Sequence, residues 1–408
     1  MVPDGWKSAV LDELCKKISV GLAISVTPFM RERGVKLIRN QNIKRNAFNE
    51  SSVVYISPEF AAANKSKMVK AGDVVAVRTG SNIGEACVIP SSFENALTFT
   101  TLIARPDPRY LNSFYLSAHI NSDIGISEVN RLMAGGGKPN LNSGELKKYE
   151  ILVPSLAEQR EIARILSTWD QAIATIEQLL ENSQQQKKAL MQQLLGNPGS
   201  STQGLKPKNF KRITDIAERI QRKSDGGGHP VLTISSLGGF VRQDEKYSRF
   251  MAGKSVENYI LLRQGEFAYN KGNSKTYEFG CIFDLESFET GMVPHVYVCF
   301  KLKPNLSHRY FKYLFEADYL KPQLGQLVNT GVRNNGLLNI KPSEFMNTKI
   351  PVPALPEQEY IANVLHTASK QITALEQKLV CVQREKKALM QQLLTGKCRV
   401  KIDGQEVA

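Results

Sequence analysis

The chain predicts a mixed α/β (α+β) architecture in which two globular domains alternate with two long helices, as an internal pseudo-twofold repeat. Three observations predict it. The segment Lys187-Lys188-Ala189-Leu190-Met191-Gln192-Gln193-Leu194-Leu195 returns letter for letter as Lys386-Lys387-Ala388-Leu389-Met390-Gln391-Gln392-Leu393-Leu394, an offset of 199 residues (386 − 187). Carried without gaps from Ile151/Ile350 to Leu195/Leu394, the same offset gives 24 identities in 45 positions. The repeated segments have helical periodicity, whereas short apolar runs broken by Gly, Asn and Pro precede each of them. At 408 residues the chain also exceeds the size at which one hydrophobic core keeps growing.

In chain order, residues 1–150 read as the first globular domain. Val74-Val75-Ala76-Val77 ahead of Thr79-Gly80-Ser81-Asn82 has the form of a strand entering a loop, and a short helix is expected near Leu111–Ala118. Residues 151–197 read as a long helix that begins after the Val153-Pro154 break. Glu158-Gln159 falls in its first turn, where a carboxylate suits the positive end of the helix dipole. Its apolar positions alternate in steps of four and three: Ile162, Leu166, Trp169, Ile173, Ile176 and Leu180, then Leu190 and Leu194. The stop signal Gly196-Asn197-Pro198-Gly199 leads into a linker over 198–208.

The second globular domain spans 209–350 and is only loosely similar to the first. Gln264-Gly265-Glu266-Phe267-Ala268 matches Ala71-Gly72-Asp73-Val74-Val75, and a short helix is expected near Tyr310–Tyr319. Leu338-Asn339 precedes Val352-Pro353 as Leu141-Asn142 precedes Val153-Pro154. Residues 351–396 repeat the long helix, with Glu357-Gln358 in the first turn. Its stripe is Ile361, Leu365, Ala368, Ile372, Leu375, Leu379 and Val382, then Leu389 and Leu393, ending near Gly396 ahead of a tail over 397–408.

A seven-residue apolar repeat kept this long is a coiled-coil seam. About 38 helical residues at 1.5 Å each make a rod of roughly 57 Å. Such a seam needs a partner, and the nearest is the other copy. Lys187 and Lys386 fall on it at the same heptad position. A charge there sets register or partner choice; alternatively, both lysines snorkel to water at a frayed end.

The balance of 53 Lys+Arg against 39 Asp+Glu, a net charge of +14, favours a polyanionic partner. The partner expected is nucleic acid and not a membrane, because no apolar run approaches the length of a spanning helix. Cys15, Cys87, Cys281, Cys299, Cys381 and Cys398 are scattered and form no ligand spacing with the five histidines, so no metal site is expected. Met1-Val2-Pro3-Asp4-Gly5-Trp6 lacks the regions of a signal peptide, and a reducing cytoplasm is the expected compartment.

No catalytic constellation is present. Gly253-Lys254-Ser255 ends like a Walker A loop, but Ser248 stands where its first glycine is required. Gly135-Gly136-Gly137-Lys138 lacks the strand and helix of a dinucleotide site. Polar, basic loops are the stronger signal, since cations hold phosphates and planar Arg, Asn and Gln groups read base edges. In the first half the candidates are Arg31, Arg33, Lys36, Arg39, Asn40, Gln41, Asn42, Lys44 and Arg45. Arg78, Ser81, Asn82, Lys138 and Asn140 follow in two shorter loops. The second half offers Arg222 and Lys223, then Lys271, Asn273, Ser274 and Lys275, then Arg333, Asn334 and Asn335. His308-Arg309-Tyr310-Phe311-Lys312-Tyr313-Leu314-Phe315 suits a half-buried helix better than a base-stacking platform.

This layout resembles the specificity subunit of type I restriction-modification systems. The residues that carry the resemblance are Leu156-x-Glu158-Gln159-x-x-Ile162-Ala163 and Leu355-x-Glu357-Gln358-x-x-Ile361-Ala362. The repeated helix ends, the closing Leu394-Thr395-Gly396-Lys397-x-Arg399, Gly5-Trp6 and the Gly72-Asp73 strand add to them, whereas Cys398 departs from the basic residue usual in that tail. The resemblance implies two target-recognition domains, each reading one half of a bipartite, asymmetric site in double-stranded DNA. It implies that the helices pack antiparallel as a ruler for the unread spacer, with half-sites about one helical turn apart. It also implies docking of two methylation subunits that flip an adenine, joined by restriction (motor-nuclease) subunits. S-adenosylmethionine, ATP and Mg would then belong to partner subunits, with no cofactor in this chain. The alternative is a coiled-coil scaffold that binds other proteins without reading DNA.

Overall fold

A computed structural model describes residues 2–133, 140–196, 209–236, 238–246, 258–272, 274–328 and 338–402. They form two compact units, Met1–Gln178 with Glu376–Ala408, and Leu179–Leu375. These units differ from the linear domain boundaries because each long helix contributes its two halves to different hydrophobic cores.

The first unit is built on a four-stranded antiparallel sheet ordered Cys15–Val20, Thr101–Pro106, Val74–Val77, Ala86–Val88. Strand alternation sends Val74 and Ala76 into one core with Tyr115 and Leu116, and Val75 and Val77 into another with Ile38, Ile43 and Phe93. The helix Ser113–Asn121 covers the first face, capped by Asn112, whose side chain accepts from the N–H groups of Phe114 and Tyr115. A second four-stranded sheet, Leu97–Thr98, Val35–Ile38, Val54–Ile56, Met30–Arg31, completes the unit.

The second unit repeats the plan. Its main sheet runs Ala217–Ile220, Val298–Leu302, Phe267–Asn270, Cys281–Asp284. Phe267 and Tyr269 enter one core and Ala268 the other. The turn into the buried strand is the same in both units. Gly72 (φ +83°) and Gly265 (φ +80°) take a left-handed conformation that other residues resist. The acid that follows clamps the turn: Asp73 accepts from the Lys70 N–H and Glu266 from the Arg263 N–H, each at 2.8 Å. The helix His308–Glu316 buries Tyr310, Phe311, Tyr313, Leu314 and Phe315, so this stretch is core.

In each unit the entering strand pairs with the strand that leads to the long helix: Lys7–Val10 with Glu150–Val153, and Phe210–Arg212 with Lys349–Pro351. The two long helices, Leu156–Leu195 and Leu355–Leu394, have 40 residues each, about 60 Å of rod. Gly196 (φ +76°) and Gly396 (φ +69°) stop them. The helices pack against each other antiparallel: Ile162 and Leu166 share a core with Leu393 and Leu394, and Ile361 and Leu365 share one with Leu194 and Leu195.

Every seam residue named from the sequence is buried or half-buried. The interval left between Leu180 and Leu190 is filled by Ser183, which is buried, and by Lys187. Neither seam lysine snorkels from a frayed end. The Lys187 side chain is 14% exposed and meets Glu316 at 2.6 Å, and that of Lys386 is 13% exposed and pairs with Asp170.

The first-turn motif has more to do than complement a dipole. The Gln159 side chain accepts from the Asn112 N–H at 2.8 Å and donates to the carbonyls of Tyr110 and Pro154. Gln358 repeats this with the Ser307 N–H and the Pro353 carbonyl. Glu158 is buried and accepts from Arg399 Nε and Nη2, at 2.7 and 3.0 Å, together with the Trp6 indole N–H at 3.2 Å.

Candidate nucleic-acid interface

In the first unit, strand Val74–Val77 hands the chain to a loop that closes when the Gly84 N–H bonds the Val77 carbonyl at 3.0 Å. Gly80 (φ +108°) and Gly84 (φ +85°) make that turn possible. Next to it lies the turn Asn40–Asn42 with the short hairpin Ile43–Lys44/Ala47–Phe48. The Asn40 amide donates to the Thr79 carbonyl at 3.1 Å and accepts from the Thr100 hydroxyl at 3.3 Å. Arg78 donates through Nε to the Asn140 side-chain oxygen at 3.0 Å, and its carbonyl accepts from the Leu141 N–H at 3.3 Å. Three stretches far apart in sequence thus converge: 40–45, 78–82 and 140.

Around this convergence Gln41, Lys44, Arg45, Ser81, Asn82 and Asn140 are exposed. Gln41 and Lys44 make no polar side-chain contact with the described residues. One carboxylate sits among the cations. Glu85 accepts from Arg45 Nε at 3.3 Å and from Asn82 Nδ2 at 3.2 Å, while the Ser81 hydroxyl donates to Asn82 Oδ1 at 2.9 Å. The result is a basic, amide-rich surface on which the planar groups of Arg45, Arg78, Asn82 and Asn140 are held by neighbours while that of Gln41 is not, a surface suited to phosphates and base edges. Nothing local in the sequence sets Glu85 apart from the chain's other carboxylates, so the sequence candidates do not include it.

Other candidates serve the fold. Asn42 is a correction: it is buried, its oxygen takes the Arg39 N–H at 3.0 Å, and its NH2 bonds the carbonyls of Asn49 and Ser51. That amide has no free edge left for a ligand. Arg39 is half-buried and donates to the Ser52 carbonyl at 2.8 Å. Arg31 binds the carbonyls of its neighbours Pro28 and Met30, and Lys36 the Ser92 carbonyl beside the Phe93 ring. Arg33 is exposed.

In the second unit the same tie recurs. Lys271 follows strand Phe267–Asn270 as Arg78 follows Val74–Val77, and its carbonyl accepts from the Leu338 N–H at 3.1 Å. Lys223 and Lys275 are exposed. Arg222 is a second correction: its guanidinium is committed to the buried Glu266 at 3.0 and 3.2 Å and to the Leu261 carbonyl. The first unit's equivalent acid, Asp73, takes its cation from a different strand, Arg105, at 2.7 Å through both oxygens. Ser274 closes a turn by accepting from the Tyr277 N–H at 3.0 Å. Lys138, Asn273, Arg333, Asn334 and Asn335 lie outside the described residues.

Among the described residues no group of His, Cys, Asp and Glu could hold a metal ion, and no helix is long and apolar enough to cross a membrane.

The family model for the type I restriction modification DNA specificity domain matches twice, over residues 3–183 and 206–382. The chain belongs to this family. The specificity subunit of the type I restriction enzyme MjaVIII from Methanocaldococcus jannaschii is 25% identical over 366 residues, covering 83% of this chain and 82% of that protein. The EcoKI specificity subunit from Escherichia coli K12 is 21% identical over 384 residues, covering 88% and 81%. Among solved structures, the type I restriction-modification S subunit from M. genitalium shares the fold with a TM-score of 0.58 at 13% identity, over 96% of both chains. A chain from a study of complex assembly and conformational transition in the type I R-M system gives 0.55 at 16% identity, over 98% of this chain and all of that one. The two family matches fall on the two halves of the internal repeat, so each half carries one copy of this domain.

Proposed function

We propose that this chain is the non-catalytic, sequence-specific double-stranded DNA-binding subunit of a type I restriction-modification complex. Each unit reads one half of a bipartite, asymmetric site. The paired helices fix the unread spacer and dock two methylation subunits, and restriction subunits join that assembly. S-adenosylmethionine, ATP and Mg are used in those partners and not in this chain.

One contrast carries the reading: the helical segments match at 24 of 45 positions, with identical nine-residue ends, while the loops that follow the buried strands have diverged. A shared scaffold with two different polar surfaces suits identical protein partners on the helices and unlike DNA sequences on the loops. Gel-shift titrations at several salt concentrations test it, with and without a methylation subunit. Duplex binding that weakens steeply with salt is the expected result. No duplex binding in either condition overturns the proposal in favour of a protein-binding scaffold, and methyl transfer by the purified chain alone overturns its non-catalytic part.

A further inference from the structure

We infer that Glu85 is a specificity-determining positioning residue, which holds Arg45 and Asn82 as a base-reading pair in the first unit. The inference rests on the DNA-reading proposal above and deepens it.

A carboxylate on a surface that faces phosphates is repelled by them, so its presence there calls for a compensating role. The geometry supplies one. Glu85 is anchored through its backbone, because its carbonyl accepts from the N–H of Val77, the last residue of strand Val74–Val77, at 2.9 Å. Each of its carboxylate oxygens holds a different side chain: Oε1 takes Arg45 Nε at 3.3 Å and Oε2 takes Asn82 Nδ2 at 3.2 Å. Arg45 is thereby gripped by its inner nitrogen alone. Its two terminal nitrogens, the fork that fits guanine O6 and N7, make no hydrogen bond with the described residues.

The exposures point the same way. The Arg45 side chain is 60% exposed and that of Glu85 19%, so the reader faces outward and the holder sits behind it. An ion pair this exposed contributes little to stability. Its removal should therefore alter which sequence is read without unfolding the unit. A side chain whose own orientation is fixed loses less freedom on binding and discriminates more sharply between base pairs.

The test uses the complete methylating complex, expressed in cells that lack other adenine methylation, with methylated sites mapped by sequencing. Glu85→Gln keeps the size and one acceptor but loses the charge; Arg45→Ala removes the fork. The expected result is that both variants relax the same base pair of one half-site. Near-cognate sites should gain methylation by about tenfold or more relative to cognate ones. The other half-site stays intact, the melting temperature is unchanged, and the double variant relaxes no further than the single ones. Discrimination by Glu85→Gln within twofold of wild type, relaxation at a different base pair from Arg45→Ala, or uniform loss of methylation at all sites would each overturn the inference. Replacing all of residues 1–150 by those of another family member separates this from the underlying reading. If the methylated sequence then stays the same, DNA reading by the first unit is what fails.

Discussion

At the scale of single residues, the fold separates cations that look alike in sequence. Arg45 and Arg222 both lie in polar stretches, yet Arg45 presents a free fork while Arg222 is committed to Glu266. Asn42 and Gln41 are neighbours, and only Gln41 keeps its amide available. Periodicity and composition locate such stretches but cannot assign partners: those of Arg45 and Arg222 lie 40 and 44 residues away, and those of Asn42 depend on how a local turn closes. Glu158 is the sharpest case at this scale. It is 3% exposed and faces Arg399, so Arg399→Ala leaves a buried carboxylate with only the Trp6 N–H. We expect a loss of about 3 kcal/mol in the first unit, read from denaturant unfolding, against no change for Lys401→Ala. An unchanged midpoint for Arg399→Ala would show that the pair is idle. His119 adds a pH dependence. Burial pushes its pKa down to about 4, and its Nδ1 lies 2.8 Å from the Tyr149 hydroxyl. The unfolded chain takes up the proton near pH 6.5, so the stability tied to neutral His119 is complete above that value. It is lost as the pH falls towards 4, and the loss has reached about 2 kcal/mol by pH 5. Comparing unfolding midpoints at pH 7 and pH 5 for wild type and His119→Gln measures it. Equal pH slopes in the two proteins would contradict it.

At the scale of elements, the long helices were the most legible part of the chain. A heptad stripe is a local signal and survives without knowledge of the partner helix. Their starts were legible as well: the Glu-Gln pair stands at the same offset in both copies, and Gln159 and Gln358 make corresponding clamps. The seam lysines were visible as exceptions, but their acids were not. Asp170 lies on the central helix, whereas Glu316 lies on the short helix of the second unit. An identical repeat is thus neutralised from two different elements, which no reading of the repeat alone could anticipate. If the helices act as a spacer ruler, one heptad inserted after Thr175 should lengthen the unread spacer in the methylated site. Mapping the methylated sites of that variant tests the ruler, and an unchanged spacer would refute it.

At the scale of the whole molecule, duplication explains both what is shared and what differs. The buried strand, its glycine turn and the tie from the following cation to the pre-helix segment recur in both units, so their sequence likeness at Gly72-Asp73 and Gly265-Glu266 reflects packing. The loops beyond that tie answer to no shared core and are free to diverge. Their composition was therefore legible and their individual roles were not. The central claim is that this chain alone sets a bipartite DNA sequence for partners that do the chemistry. Its most direct test is the methylome of the source cell with and without this gene. The account predicts one asymmetric, two-part methylated motif that vanishes when the gene is deleted and returns when it is restored. A methylated motif that persists without the gene, or one that is continuous and undivided, would contradict it.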